Sequence, residues 1–174
     1  LGADGYTHLF NAMSPFTSRE PGVLGAALES DNAYCGIILD GHHMHYGSAA
    51  IAHKTKAKGK LLIVTDAMST IGSDQQEFEF FGLTVSKDGD KLSTADGTLA
   101  GSALDMITAV KNSVEHIGIE LGEALNMASL YPAQYLGVDA QMGSITVGKQ
   151  ADLIVFNDDY QVTRTWIGGE LVHQ

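Results

Sequence analysis

The sequence predicts an α/β protein built on a parallel sheet that helices cover. Two short apolar runs, at residues 35–39 and 61–64, flank a predicted helix over about residues 47–58, which is the pattern of a βαβ unit. The apolar residues of both runs are continuous rather than alternating, which indicates strands buried on both faces. An α/β barrel and an open sheet both satisfy this pattern.

The segment after the second strand has a different residue pattern from the two apolar runs. Large apolar residues stand among polar ones over residues 78–92, with a turn signal at 87–90, and this predicts an inserted hairpin. Apolar residues then recur at helical spacing, and Ser102 with Asp105 three residues later resembles a capping box. We therefore expect a helix over about residues 102–118.

A second helix is predicted from Gly122 towards Tyr131, where Pro132 disturbs the pattern and Gly137 offers a C-terminal cap. The tail carries three short β patterns, at residues 145–147, 153–156 and 162–167, and the last leads through Gly168 and Gly169 into residues 171–172. These strands need pairing partners, some of which we expect outside the chain.

The composition argues against several classes of partner. Twenty-one acidic residues against ten Lys and Arg give a net charge of −11, which repels nucleic acid and anionic membranes. No apolar stretch approaches the roughly 18 to 20 residues of a membrane span, and the start lacks a signal-peptide pattern. The single cysteine, Cys35, lies in an apolar run and is expected to be buried, as is typical of a reducing cytoplasm. The opening residues lack a methionine, and the chain reads as a segment that begins within a domain.

Three polar segments, at residues 7–13, 40–46 and 65–67, stand where α/β barrels place active-site residues, just after their strands. Asp66 emerges from a buried strand, so its carboxyl group is suited to proton transfer, or else it closes a turn. His8 offers an imidazole ligand for zinc or iron, although catalytic zinc usually takes three protein ligands and a structural histidine is the alternative.

Further polar residues carry alternative interpretations. The histidines at 42, 43 and 45 form a cluster whose rings need not converge in a loop. Arg19 can bind a phosphate through bidentate hydrogen bonds from its guanidinium, or it can form an ion pair with Glu20 at the surface. The lysines at 54, 56, 58 and 60 are expected on a solvated helix face.

Five motifs in order resemble the N-acetylglucosamine-6-phosphate deacetylase family of the amidohydrolase superfamily. They are Thr-His-Leu-Phe-Asn-Ala-Met at 7–13, Asp-Gly-x-His at 40–43, Thr-Asp-Ala at 65–67, Gly-Thr-Leu-Ala-Gly-Ser at 97–102 and Gly-Ser-Ile-x-x-Gly-Lys-x-Ala-Asp-Leu at 143–153. The last is shared by many amidohydrolases, whereas the first, together with Arg19, is more particular to the deacetylases. The resemblance implies that residues 1–143 are the C-terminal portion of a metal-dependent TIM-type (β/α)8 barrel. It also implies that residues 144–174 are the C-terminal strands of a small β-sandwich domain.

The resemblance also implies roles for individual residues. Asp66 would be the general base and His8 a ligand of a divalent metal, first of all zinc, with iron, cobalt or manganese as alternatives. The sugar phosphate would be held by Asn11, Ala12, His43 and Arg19, of which Arg19 reaches in from the neighbouring subunit of a homodimer. The implied reaction is metal-dependent hydrolysis of the acetamide of N-acetylglucosamine 6-phosphate in the cytoplasm.

Two departures from the family pattern bear on these roles. His42 and His45 stand where an apolar and an acidic residue are expected, which leaves open an altered phosphate contact or additional metal binding. The family's other metal ligands, a glutamate and a histidine, lie upstream of the region that matches residue 1. Two alternatives therefore stay open: an amidohydrolase of other cyclic or linear amides, and a non-catalytic truncated half-barrel.

Overall fold

A three-stranded parallel sheet forms the centre of the computed structural model, which describes residues 2–174. Its strands are β1 (Gly5–Tyr6), β2 (Tyr34–Ile38) and β3 (Leu61–Val64), in that spatial order, with Cys35 opposite Leu61 and Ile38 opposite Val64. The helices α1 (Gly22–Glu29) and α2 (Tyr46–Thr55) connect them. The predicted parallel sheet is therefore confirmed, together with a first strand and a first helix that the sequence patterns did not predict.

The core packs around this sheet because its apolar strands share one hydrophobic cluster with the helices. Ile37, Ile38 and Ile63 are at most 1% exposed, and they share one hydrophobic cluster with Leu104 and Met127 from the C-terminal half. Burial of side chains of this size stabilises the fold by roughly 1.5 to 3 kcal/mol each. This rigid centre fixes the positions of the loops at the strand ends.

Lys56 corrects the prediction of a solvated lysine face. The helix α2 ends at Thr55, three residues earlier than predicted, and the extended backbone of Lys56 turns its side chain inward, where it is 6% exposed. Its Nζ donates to the carbonyl oxygens of Ala27, at 2.7 Å, and Ser30, so the buried charge is solvated by helix α1. Cys35 is buried and free, as predicted, and burial raises the pKa of its thiol although the nearby Lys56 opposes the change.

The inserted segment is larger than the predicted hairpin. It forms a four-stranded antiparallel sheet in the order β4 (Glu77–Phe80), β5 (Leu83–Asp88), β6 (Lys91–Thr94) and β7 (Leu99–Ser102). The fourth strand was missed because its sequence, Leu-Ala-Gly-Ser, has neither β-branched nor aromatic residues. The expected capping box at Ser102 is also wrong, since Ser102 ends this strand.

Helix α3 (Met106–Asn112) begins after Asp105, whose side chain accepts a hydrogen bond of 2.7 Å from the backbone N–H of Thr108. Asp105 is thus the N-cap, three residues beyond the expected position. The helix continues as a π-helical turn, Ser113–Ile117, and ends at Gly118 in a left-handed conformation, as predicted for its C-terminus.

The predicted helix from Gly122 is divided into α4 (Leu121–Ala128) and α5 (Leu130–Tyr135) by the irregular backbone of Ser129. Pro132 is accommodated in the first turn of α5, where a backbone N–H has no intrahelical partner to lose. Gly137 follows with φ of +70°, as predicted for a C-terminal cap.

The tail forms a three-stranded antiparallel sheet of β8 (Leu153–Phe156), β9 (Val162–Ile167) and β10 (Glu170–His173). The strand predicted at residues 145–147 is not formed, and Ile145 and Val147 are 89% and 104% exposed. Apolar side chains of all three strands are also exposed. Within residues 2–174, no helix is both long enough and apolar enough to cross a membrane.

Candidate active site

The carboxyl ends of the three parallel strands bring the polar segments to one edge of the sheet. His8 follows β1, residues 40–43 follow β2, and Asp66 follows β3. Leu9 donates its backbone N–H to the carbonyl oxygen of Gly36 at 2.8 Å, which extends the pairing of β1 with β2 up to this edge. The placement that the sequence predicted for these segments is confirmed.

Asp40 holds the imidazole of His43 in one orientation. Its Oδ2 lies 2.6 Å from His43 Nδ1, and its Oδ1 accepts the backbone N–H groups of His42 and His43 at 2.9 and 2.8 Å. Burial alone would raise the pKa of Asp40, but the hydrogen bonds from His43 and His42 outweigh it and hold the pKa below its ordinary value. Asp40 is therefore an ionised acceptor, and His43 Nδ1 carries the donated proton.

The other ring nitrogen of His43 faces the candidate base. His43 Nε2 lies 3.4 Å from Asp66 Oδ2, and the side chains are 6% and 50% exposed, respectively. With Nδ1 engaged by Asp40, Nε2 is the nitrogen that can exchange a proton with this carboxyl group, so a single proton can be shared between the two atoms. The arrangement can accept a proton from one reacting group and return it to another.

Backbone strain is concentrated at the same edge. Among described residues other than glycine, φ is positive at His8 (+34°), Phe10 (+78°), Ala12 (+53°) and Asp66 (+53°), and elsewhere only at Phe81 and Tyr160. Such conformations cost on the order of 1 to 3 kcal/mol each and are retained where the surrounding structure imposes them, often at functional sites. The loops after β1 and β3 are therefore held in conformations that their side chains do not favour.

His8 has the donor expected of a metal ligand. It is half-buried, and its Nδ1 atom is buried without a hydrogen-bond partner in the part of the chain that the structure describes. An unpartnered buried nitrogen costs free energy, which a bound cation or an external donor would offset. No group of three or more His, Cys, Asp or Glu side chains within residues 2–174 is arranged to hold a metal ion. His8 thus fits one ligand of a site that these residues do not complete.

The residues expected at the sugar phosphate lie in the loop after β1. Asn11 is half-buried and its backbone N–H donates to the carbonyl oxygen of His8 at 2.9 Å, while Ala12 is exposed. Arg19 is exposed in a turn closed by Thr17, whose hydroxyl donates to the carbonyl oxygen of Glu20 at 2.9 Å. No carboxylate of residues 2–174 lies within ion-pair distance of Arg19, so the alternative pair with Glu20 is absent there.

The two additional histidines make separate contacts. His42 Nε2 lies 2.9 Å from Asp90 Oδ1, which ties the loop after β2 to the turn between β5 and β6. His45 is the N-cap of α2, where its Nδ1 accepts the backbone N–H of Gly47 at 3.0 Å. The predicted cluster is therefore not a convergent site, and only His43 of the three faces Asp66.

Asn112 contributes a contact that sequence reasoning missed. Its Nδ2 donates to the carbonyl oxygen of Leu39 at 2.7 Å, and so α3 anchors the chain immediately before Asp40. The pairing of Asp40 with His43 had a signal, because the two are three residues apart in one motif. Asn112, which stands 73 residues from Leu39, had none.

Comparisons with known proteins identify relatives along almost the whole chain. The model of the amidohydrolase family matches residues 5–172. The chain is 49% identical over 173 residues to an N-acetylgalactosamine-6-phosphate deacetylase of Shewanella sp. (strain ANA-3), a match that covers 99% of the chain and 44% of that relative. It is 44% identical over 172 residues to an N-acetylglucosamine-6-phosphate deacetylase of Haemophilus influenzae, covering 97% of the chain and 45% of the relative.

The solved structures agree with the sequence relatives. The crystal structure of N-acetylglucosamine-6-phosphate deacetylase from Pasteurella multocida superimposes with a TM-score of 0.96 at 46% identity, covering 99% of the chain and 45% of that structure. The chain therefore spans less than half the length of these relatives.

Proposed function

The chain belongs to the amidohydrolase family, and from this premise we propose that its protein hydrolyses the acetamide of N-acetylglucosamine 6-phosphate to glucosamine 6-phosphate and acetate. One observation carries the proposal: Asp66 lies 3.4 Å from the Asp40-bound His43 at the carboxyl edge of a parallel sheet. This geometry supports proton transfer, and the deacetylases named above are the relatives that support the substrate.

In this proposal residues 1–143 are part of a TIM-type (β/α)8 barrel and residues 144–174 are strands of a small β-sandwich domain. The parallel sheet with helical connections supports the first assignment. The antiparallel sheet with exposed apolar side chains supports the second, because such strands need a further layer to cover them. A phosphorylated substrate and the free, buried Cys35 support a cytoplasmic location.

A divalent metal, zinc first and iron, cobalt or manganese as alternatives, would supply Lewis-acid polarisation of the acetyl carbonyl and of the attacking water. His8 would be one of its ligands, which its unpartnered Nδ1 supports. The family's other ligands, a glutamate and a histidine, match positions upstream of residue 1, so no residue of 2–174 is assigned to them.

Asp66 takes the proton of the attacking water and transfers it to the leaving nitrogen. Its carboxyl group is half-exposed, so it is accessible to water and substrate, while its backbone is fixed at the end of β3. Protonation of the nitrogen is required because an amide anion is a poor leaving group. His43 contacts the substrate from beside Asp66, in the orientation that Asp40 imposes.

The phosphate is bound by local donors in a protein of net charge −11. Asn11 and Ala12 supply polar groups from the strained loop after β1, and Arg19 of one subunit reaches the site of the other in a homodimer. The exposure of Arg19 and the absence of an ion-pair partner for it within residues 2–174 support this assignment.

The 4-epimer is the second candidate substrate, because the Shewanella relative is an N-acetylgalactosamine-6-phosphate deacetylase at 49% identity. The test is acetate release by the complete, zinc-loaded protein from both 6-phosphates and from unphosphorylated N-acetylglucosamine. We expect turnover of the glucosamine derivative. Faster turnover of the galactosamine derivative would reassign the substrate, and turnover of neither would contradict the deacetylase proposal.

The variant Asp66→Asn tests the assigned base. We expect kcat to fall by about a hundredfold or more, the usual contribution of a positioned acid or base, while thermal unfolding is unchanged. The matched control is Asp158→Asn, which alters an exposed aspartate between β8 and β9 and should leave kcat unchanged. Undiminished turnover in Asp66→Asn would remove the residue from its role.

A further inference from the structure

The segment Gly97–Ser102, one of the five motifs, has no part in the proposed chemistry. Its last residue, Ser102, is completely buried at the end of β7. It lies beside the turn that follows β3, with which it forms an isolated parallel bridge at Ala67. A strand of the inserted sheet therefore ends against the loop that carries Asp66.

Every polar group of Ser102 is engaged, and three of its four hydrogen bonds go to this turn. Its Oγ donates to the carbonyl oxygen of Thr65 at 2.5 Å, and its N–H donates to that of Asp66 at 2.9 Å. Its carbonyl oxygen accepts the N–H of Met68 at 3.0 Å. The fourth bond, from Leu104 N–H to Oγ at 3.1 Å, anchors the serine to its own segment.

The Asp66 carboxyl group depends on its backbone for orientation. The side chain is 50% exposed, and among the described residues the one ionisable side chain within ion-pair distance of it is His43, at 3.4 Å. The backbone has φ of +53°, which a residue with a Cβ adopts only when neighbouring contacts impose it. The bonds from Ser102 to the carbonyl oxygens of Thr65 and Asp66 are such contacts.

Gly101 makes the close approach of the two segments feasible. Its φ is +146°, and a Cβ there would lie 2.7 Å from Met68 Cγ and 3.1 Å from the carbonyl oxygen of Asp66. Only a residue without a side chain lets β7 pack this closely against the turn. Gly101 and Ser102, at the end of the motif, thus pack against and bind the turn at Asp66 in addition to forming part of the inserted sheet.

We propose that Ser102 is a positioning residue, which holds the turn of residues 65–68 so that the Asp66 carboxylate is aligned for proton transfer. The expected effect of Ser102 on turnover rests on the proposed function. The hydrogen bonding itself is independent of any substrate. Misplacement of a reacting group by about 1 Å costs on the order of a hundredfold in rate, so loss of the Oγ bond should slow the chemical step.

The experiment compares Ser102→Ala with Ser113→Ala in the complete, zinc-loaded protein. Ser113 is the matched control because it is also completely buried and donates from Oγ to a backbone carbonyl, that of Ala109, at 2.8 Å within its own helix. We expect Ser102→Ala to lower kcat for acetate release by about ten- to a hundredfold. We expect its KM to stay within about twofold, and Ser113→Ala to retain the wild-type kcat.

A second readout does not require activity. Hydrogen exchange of a peptide that covers residues 65–68 should be faster in Ser102→Ala than in the wild type and unchanged in Ser113→Ala. If Ser102→Ala does not fold, Ser102→Cys replaces it, since the thiol fills nearly the same volume but is a weak donor.

The outcomes separate the inference from the function on which it rests. An inactive wild-type protein would contradict the deacetylase proposal, and the exchange of residues 65–68 would then decide on the positioning role. An active wild type with an equal kcat in the Ser102 and Ser113 variants would overturn the inference, as would unchanged exchange at residues 65–68.

Discussion

At the scale of the residue, Asp40 determines how His43 is presented to Asp66. Its carboxylate is 1% exposed and satisfies two backbone N–H groups in addition to the imidazole. Because this acceptor is ionised, His43 Nδ1 is the donor to Asp40, and Nε2 is the ring nitrogen that faces Asp66. The side chain of Asp40 therefore acts on the candidate base through His43 without facing the substrate itself.

Substitution of Asp40 by Asn should reverse this arrangement. The amide oxygen can still accept the two backbone N–H groups, but an amide nitrogen would face His43 Nδ1, so the imidazole proton would move to Nε2 and point at Asp66. We expect a kcat at least about tenfold lower and a loss of about 2 kcal/mol in the free energy of unfolding at pH 7. Steady-state kinetics and urea denaturation measure the two effects.

The difference in the free energy of unfolding between the wild type and Asp40→Asn should decrease as the pH is lowered. The pKa of Asp40 is lower in the folded protein than its ordinary value of 3.8, so its contribution to stability is complete above that value and is lost as the pH falls through the folded pKa. The control is Asp90→Asn, which breaks the exposed pair with His42 and should cost less than about 1 kcal/mol. An equal decrease in the free energy of unfolding in the two variants would show that Asp40 contributes no more to stability than an exposed ion pair does.

At the scale of the element, His45 explains a departure from the family pattern. An acidic residue is expected at this position, and aspartate is among the most favourable N-caps of a helix. His45 Nδ1 accepts the N–H of Gly47, so the imidazole replaces a carboxylate as the acceptor at the start of α2. The substitution conserves a capping function and supplies no ligand to the site.

This interpretation predicts opposite effects for two variants. His45→Ala should lower the free energy of unfolding by about 1 kcal/mol, because the Gly47 N–H loses its acceptor. His45→Asp should be as stable as the wild type or more so, by about 0.3 to 1 kcal/mol, since a negative charge favours a helix N-terminus. Denaturant unfolding measures both, with the exposed His173→Ala as control. Loss of stability in His45→Asp would contradict the capping role.

The elements that the sequence predicted correctly are those with local signals. Continuous apolar runs identified β2 and β3, and helical spacing identified the helical segment after β7, which ends at Gly118. The predictions were wrong where tertiary contacts determine the conformation or the burial of a residue. Ser102 matched a helix cap locally but is held in a strand by the Asp66 turn, and Lys56 matched a solvated face but is buried against α1.

The candidate site shows the same division. That His8, His43 and Asp66 lie at one edge follows from parallel strands, and the sequence predicted it. The contact of Asn112 with Leu39 depends on packing between segments 73 residues apart, for which neither periodicity nor spacing gives a signal, whereas Asp40 and His43 are three residues apart in one motif.

At the scale of the whole molecule, these residues supply part of a site. They provide Asp66, His43 and one candidate metal ligand, and Arg19 is exposed without an ion pair among residues 2–174. In the proposed homodimer, a guanidinium from the second subunit would offset the repulsion that a net charge of −11 exerts on the proposed phosphorylated substrate. Subunit exchange can test whether Arg19 acts across the interface.

The prediction concerns mixtures of two impaired variants of the complete protein, Arg19→Ala and Asp66→Asn, assayed at a substrate concentration well below the KM of Arg19→Ala. If Arg19 acts in the partner's site, a mixed dimer contains one site with the Asp66 of one subunit and the Arg19 of the other. Random mixing of equal amounts in a twofold-symmetric dimer should then restore about a quarter of the wild-type acetate release. Each variant alone should remain impaired, Arg19→Ala mainly through a higher KM for the phosphorylated sugar.

Arg19 acting in the partner's site and Arg19 acting in its own subunit's site predict different activities, because the two substitutions fall in the same site of the mixed dimer in the first case and in different sites in the second. If Arg19 served its own subunit, each site of the mixed dimer would carry one of the two substitutions, and co-refolding would restore nothing beyond the activities of the separate variants. A mixture of Arg19→Ala with an Arg19→Ala, Asp66→Asn double variant is the matched control, since it lacks the guanidinium in every subunit. Recovery in the first mixture but not in this control would assign the phosphate contact to the neighbouring subunit, whereas equal activity in both would place Arg19 outside the partner's site.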